Sequence, residues 1–223
     1  GFTVHSVIPA LYHKHRNPAV LRRTGVPGTV MLTFDDGPDP EYAGRLLDLL
    51  KKEDVKAAFF VVTREAVKEE ALIDRMLSEG HVVGFHSMDH QNAMVRGYLH
   101  TKKDFRTGCE FMKRKGISDI WYRPPWGLTN LFSWHFVRKY GMKMVLWDVM
   151  AEDWEREATV GSIRKKCLSR VKDGSILCLH DGGRRTGGAP GAPEKTLEAL
   201  AYVIPALKEA GYRFILPSES VSG

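Results

Sequence analysis

From Thr29 onward, short apolar runs alternate with longer amphipathic stretches, and no other feature limits the fold as much. Strand-like runs are expected at 29–34, 57–62, 81–85, 120–122, 142–147, 175–180 and 212–216. Helices are expected between them, near 41–53, 64–79, 101–115, 130–140, 160–171 and 194–210. Gly80 and Gly116 stand where helix C-caps favour a left-handed residue. Strands alternating with helices require a parallel sheet with right-handed crossovers, either a barrel or a doubly wound sheet. The chemically unusual residues decide between them. Asp35-Asp36, His86, Arg123, Asp148 and His180 each fall at or just after the C-terminal end of an expected strand. In a barrel those ends converge on one face, where sites are built. The expectation is a barrel-like α/β fold with one site.

A chain of 223 residues suits one such domain, expected at 29–223, after an N-terminal arm at 1–28 that lacks a firm period. Tyr12-His13-Lys14-His15 in that arm could bind metal, but a packed surface arm is the plainer reading. The net charge of +6 favours an acidic contact surface, such as a wall polymer, nucleic acid or membrane. Its basic residues are dispersed and no nucleic-acid motif accompanies them, so no nucleic-acid partner is expected. Cys109, Cys167 and Cys178 lie far apart, without a disulfide framework or thiolate metal site. The chain as given shows neither a signal segment nor an apolar run long enough to span a membrane.

Four stretches carry chemistry. Thr33-Phe34-Asp35-Asp36-Gly37-Pro38 ends a strand in two adjacent carboxylates, an arrangement that costs energy unless a cation is near. Neighbouring side chains diverge along an extended chain, so one aspartate can hold a metal while the other stands beside it. A polar Asp-Gly-Pro turn is the plain alternative. His86-Ser87-Met88-Asp89-His90 spaces two imidazoles for one side of a helical turn. With a strand-end carboxylate they form a His-His-Asp set suited to zinc, with room for water. In Arg123-Pro124-Pro125-Trp126-Gly127 the prolines lack amide protons, so Trp126 has the first free N–H after Arg123, placed for an oxyanion. Arg123 can keep a carboxylate ionised. His180, closing Leu177-Cys178-Leu179-His180-Asp181, is placed as a general acid or is a satisfied buried histidine. The stretch 182–188 reads as a flexible rim loop.

Together these motifs resemble the polysaccharide deacetylases of carbohydrate esterase family 4, from about Val30 to Pro217. The resemblance implies a distorted (β/α)7-type barrel whose divalent metal, usually zinc, serves removal of acetyl groups from N-acetylated sugars. It implies Asp35 as base, Asp36, His86 and His90 as metal ligands, and Arg123 as the residue steadying the base. His180 would be the acid, Trp126 the oxyanion N–H donor, and Trp154 and Leu179 the walls around the acetyl methyl. An extracellular or cell-envelope location, a polysaccharide partner and a monomer are the accompanying expectations. Peptidoglycan, chitin oligomers and acetylated xylan all remain open as substrates.

One stretch departs from the family pattern. Trp147-Asp148-Val149-Met150-Ala151-Glu152-Asp153-Trp154 has Met150 where the family's first aspartate is expected to orient the catalytic histidine. A thioether cannot do that. Asp148, two residues earlier on the same face of a strand, is the expected substitute. Without one, the chain would be a weakened catalyst or a carbohydrate-binding domain that kept its metal site. A phosphotransferase reading of Phe-Asp-Asp-Gly fails on spacing, and an inert scaffold leaves the ordered motifs unexplained.

Overall fold

The computed structural model describes residues 3–183 and 188–221. Its strands are β1 (Val20–Leu21), β2 (Thr29–Asp35), β3 (Ala58–Val61), β4 (Val82–Phe85), β5 (Trp121–Tyr122), β6 (Lys143–Val145), β7 (Val149–Met150), β8 (Ile176–His180) and β9 (Arg213–Phe214). The helices are α1 (Ile8–His15), α2 (Ala43–Lys52), α3 (Thr63–Ala66), α4 (Glu70–Ser78), α5 (Tyr98–Arg114), α6 (Leu131–Lys139), α7 (Val160–Arg170) and α8 (Ala192–Glu209). A helical turn, Thr3–Val7, leads into α1.

Every ladder between these strands is parallel, in the order β1-β6-β5-β4-β3-β2-β8-β7, with β9 beside the start of β2. The sheet curls, and an antiparallel bridge from Arg23 to Ser175 draws the chain after β1 toward β8. The expected barrel is realised as this curled α/β sheet. The segment expected as an arm is partly in the sheet, because Val20 and Leu21 pair with Met144 and Val145. Two-residue strands such as β1 and β7 carry no alternation to read from sequence.

Side chains alternate between two cores. Val30, Leu32 and Phe34 of β2, with Leu177 and Leu179 of β8, face the helices and join their apolar stripes. The stripe of α2 is Ala43, Leu46, Leu47 and Leu50, spaced to cover one helix face. Met31, Ala58, Phe60, Trp121, Val145 and Ile176 fill the smaller, inner core. Gly108 lets α5 approach β4, since a Cβ there would overlap the Phe85 ring. The helix expected over 64–79 is instead two. Its first turn is drawn aside, with the Thr63 and Arg64 amides donating to the Ser87 and Met88 carbonyls. The strand expected over 142–147 stops at Val145, where the Val145 and Leu146 carbonyls accept hydrogen bonds from the Arg123 side chain.

Candidate active site

The register of two neighbouring strands brings the first functional pair together. Asp35 at the end of β2 is the direct partner of His180 at the end of β8. Arg123 follows β5, His86 follows β4, and Phe85 pairs with Tyr122, so these two also stand side by side. The resulting cleft of about 390 Å³ is lined by Asp35, Asp36, His86, His90, Trp126, Trp147, Met150, Trp154, Cys178, His180 and Gly188.

Arg123 is fully buried and ties both halves of the site together. Its Nη1 donates to Asp35 Oδ1 at 2.7 Å and to Thr33 Oγ1 at 2.7 Å. The Phe60 ring lies 4.2 Å from its guanidinium, and Nη2 donates to Leu146 O at 3.0 Å. Its own carbonyl accepts from His86 Nδ1 at 2.7 Å. That bond puts the imidazole proton on Nδ1 and leaves Nε2 as a donor atom toward Asp36, the arrangement of metal-binding histidines.

His86 Nε2 and His90 Nε2 lie 3.2 and 3.0 Å from Asp36 Oδ1. Donors about 2.0–2.1 Å from one ion stand roughly 3.3 Å apart at a tetrahedral angle, so the three residues fit a divalent cation between them. Burial alone would raise the Asp36 carboxyl. The adjacent His86 and His90 imidazoles outweigh it and hold the group well below the ordinary range, in the ionised form that a ligand requires. Burial likewise pulls His86 down, but Asp35 and Asp36 raise it on balance.

The 86–90 stretch is not the helical turn expected from its spacing. It is a loop in which Ser87 and His90 have φ of 72° and 54°. Asp104, buried on α5, holds it by accepting from Ser87 Oγ at 3.0 Å and from the Met88 amide. Of six non-glycine residues with positive φ among the described ones, Asp36, Ser87, His90, Trp126 and Glu152 belong to the loops of this site. Such backbone persists where surrounding contacts over-determine it.

Two expected site residues are corrected. Asp148 does not reach His180. Its carboxylate accepts from Ser175 Oγ at 2.8 Å and from the Ile176 amide at 2.6 Å, at the opposite end of β8. The chain turns at Glu152 and swings Asp153 into the place instead. Asp153 is fully buried, accepts from His180 Nδ1 at 2.7 Å and the His180 amide at 2.9 Å, and is steadied by Thr196 Oγ1 at 2.7 Å. Met150 therefore leaves His180 with its carboxylate and simply lines the cleft. Burial would lower His180, but Asp153 raises it, aided by Asp36 and Asp35, to about 9.

Leu179 is the second correction, since it packs in the helix-facing core. Cys178 shares the face of His180 and lines the cleft, with Sγ 3.4 Å from Asp35 Oδ2. Trp154 lines the same cleft, edge-on to His180 with centroids 5.0 Å apart. Trp126 is half exposed, its ring 4.4 Å from that of His90. Gly37 has no room for a Cβ, because the buried Asp181 carboxyl occupies that space. Burial and the nearby Asp36 push Asp181 well above the ordinary range. His13 is buried against Trp134 and bonded to Asn17, so it is spent on packing. The expected rim loop has residues 184–187 outside the described ones.

A polysaccharide deacetylase family model matches residues 22–145. A peptidoglycan-N-acetylglucosamine deacetylase of Bacillus cereus is 33% identical over 192 residues, covering 85% of this chain and 86% of the relative. A chitooligosaccharide deacetylase of Sinorhizobium fredii is 32% identical, covering 85% and 89%. The crystal structure of the Bc1960 peptidoglycan N-acetylglucosamine deacetylase superposes with a TM-score of 0.82, at 29% identity and over 92% and 93% of the two chains. The chain belongs to the polysaccharide deacetylase family, carbohydrate esterase family 4.

Proposed function

We propose that this chain hydrolyses the acetamide of N-acetylglucosamine units in a polymer, with peptidoglycan and chitin oligomers as the substrates to compare. The observation that carries this reading is the pairing of Asp35 with His180 beside the Asp36, His86 and His90 donor set. Two imidazole nitrogens and a carboxylate suit zinc. When bound there, the cation would polarise the acetyl carbonyl and lower the pKa of water.

Asp35, held by the Arg123 guanidinium at 2.7 Å, accepts the proton of the attacking water. The new bond joins that water oxygen to the acetyl carbon. The C–N bond then breaks, and His180 delivers a proton to the departing amine from Nε2, its Nδ1 being committed to Asp153. The products are acetate and a free glucosamine amine. The Trp126 N–H is assigned to the oxyanion. Trp154, Cys178 and Met150 supply the apolar wall for the acetyl methyl. Deacetylating relatives of known substrate support an envelope location, and among the described residues no helix is long and apolar enough to cross a membrane.

The test is acetate release from chitin oligomers and from peptidoglycan by protein stripped of metal and then reloaded with zinc. Release that depends on metal is expected, and the faster polymer identifies the substrate. Folded, zinc-loaded protein that releases acetate from neither would overturn the reading.

A further inference from the structure

Most of the chain mixes its charges, but one face does not. Residues 3–16, 91–103 and 120–147 contain no aspartate or glutamate, in a chain with 27 acidic residues. The fold joins them. His5 Nε2 donates to Arg96 O at 2.9 Å, and Asn130, capping α6, donates to Ala93 O and Arg96 O. The His13 ring stacks on Trp134 of α6 at 5.0 Å.

α1 is turned inside out for a surface helix. Pro9, Ala10 and His13 face the protein. Ile8, Leu11 and Tyr12, with Val4 of the preceding turn and Leu131 of α6, are 47% to 60% exposed. Val4, Ile8, Tyr12 and Leu131 line one groove between α1 and α6, and Arg138 and Lys139 rim it. Lys14, Arg16, Arg96 and Lys102 are exposed on the same acid-free segments. Exposed apolar area of this kind marks an interaction surface. A second copy would set cation against cation, and a wall polymer has no use for an aliphatic stripe. An apolar helix face edged by cations fits the boundary between anionic headgroups and acyl chains.

We propose that this face docks on an anionic lipid bilayer, with the outward stripe of α1 seated at the headgroup boundary. The docking does not depend on the deacetylase reading. It is tested by flotation of the purified chain with vesicles of phosphatidylglycerol and phosphatidylcholine in equal parts, and with phosphatidylcholine alone. Binding to the anionic vesicles, weakened by salt, is expected. Ile8→Ser/Leu11→Ser should abolish it. Lys14→Gln/Lys139→Gln should weaken it about 25-fold, roughly fivefold for each lysine. All four residues are exposed, so circular dichroism and acetate release from soluble oligomers should be unchanged in both variants. No flotation at low salt, equal flotation with neutral vesicles, or flotation that neither variant reduces would overturn the proposal. A dimer broken by Ile8→Ser/Leu11→Ser, with no vesicle binding, would assign the face to a second copy instead.

Discussion

Asp35 and Asp36 are neighbours in the chain but belong to differently built halves of the site. Asp35 and His180 end adjacent strands, and ladder hydrogen bonds fix their separation before any side chain is considered. Asp36, His86 and His90 sit on loops whose left-handed residues need outside support, which Asp104 and the first turn of α3 supply. The strand half is rigid by register. The loop half is rigid only by tethering, so damage to tethers should fall on metal binding, and damage to the strand half on rate.

The largest effect should come from Arg123→Gln, which touches both halves. Asp35 would lose its buried cation, so about 3–5 kcal/mol of stability should go, read by urea unfolding. Acetate release should fall by about 10³-fold in whatever remains folded.

Asp153→Asn should strike the strand half alone. We expect about a 10²-fold loss of kcat with metal content unchanged. His180 is the acid only while protonated, so activity is lost as pH rises through its pKa. Removing the carboxylate that raises it should move the alkaline limb of the pH profile to lower pH. Asp148→Asn should leave both rate and profile unchanged, and equal damage from the two would erase the distinction between them.

Asp104→Ala should strike the loop half. Ser87 Oγ and the Met88 amide lose their acceptor, and zinc affinity should fall about 10- to 100-fold by competition with a chelator. Unchanged affinity would mean that the loop stands without its tether.

An effect that leaves activity untouched near neutral pH lies outside both halves. Burial lowers His81 to about 4, and its Nδ1 accepts from the Ala57 amide. The unfolded chain binds the proton more readily, so this contribution is intact above the ordinary pKa of 6.5 and is lost as pH falls toward 4. The loss approaches about 3 kcal/mol, and His81→Gln should remove that part of the acid sensitivity in thermal melts.

The strand-end residues were legible because a parallel sheet gathers its C-terminal ends, whatever its exact curvature. The partners on loops and helices were not. Asp153 lies beyond a turn at Glu152 that breaks the strand face from which Asp148 is read as the substitute. Its signal was adjacency to Trp154, already assigned to the pocket. Cys178 could have been read from alternation alone, since His180 and residue 178 share a face and Leu179 faces away. Asp104 also left a trace, as the one carboxylate on the buried stripe of α5 with Thr101, Phe105, Gly108 and Met112.

The central claim is that Asp35 moves the proton while its neighbour holds the metal. Zinc content and acetate release measured together for Asp35→Asn test it most directly. The account predicts a full complement of zinc and at least about a 10³-fold loss of rate. A variant that keeps both its zinc and its rate would contradict it.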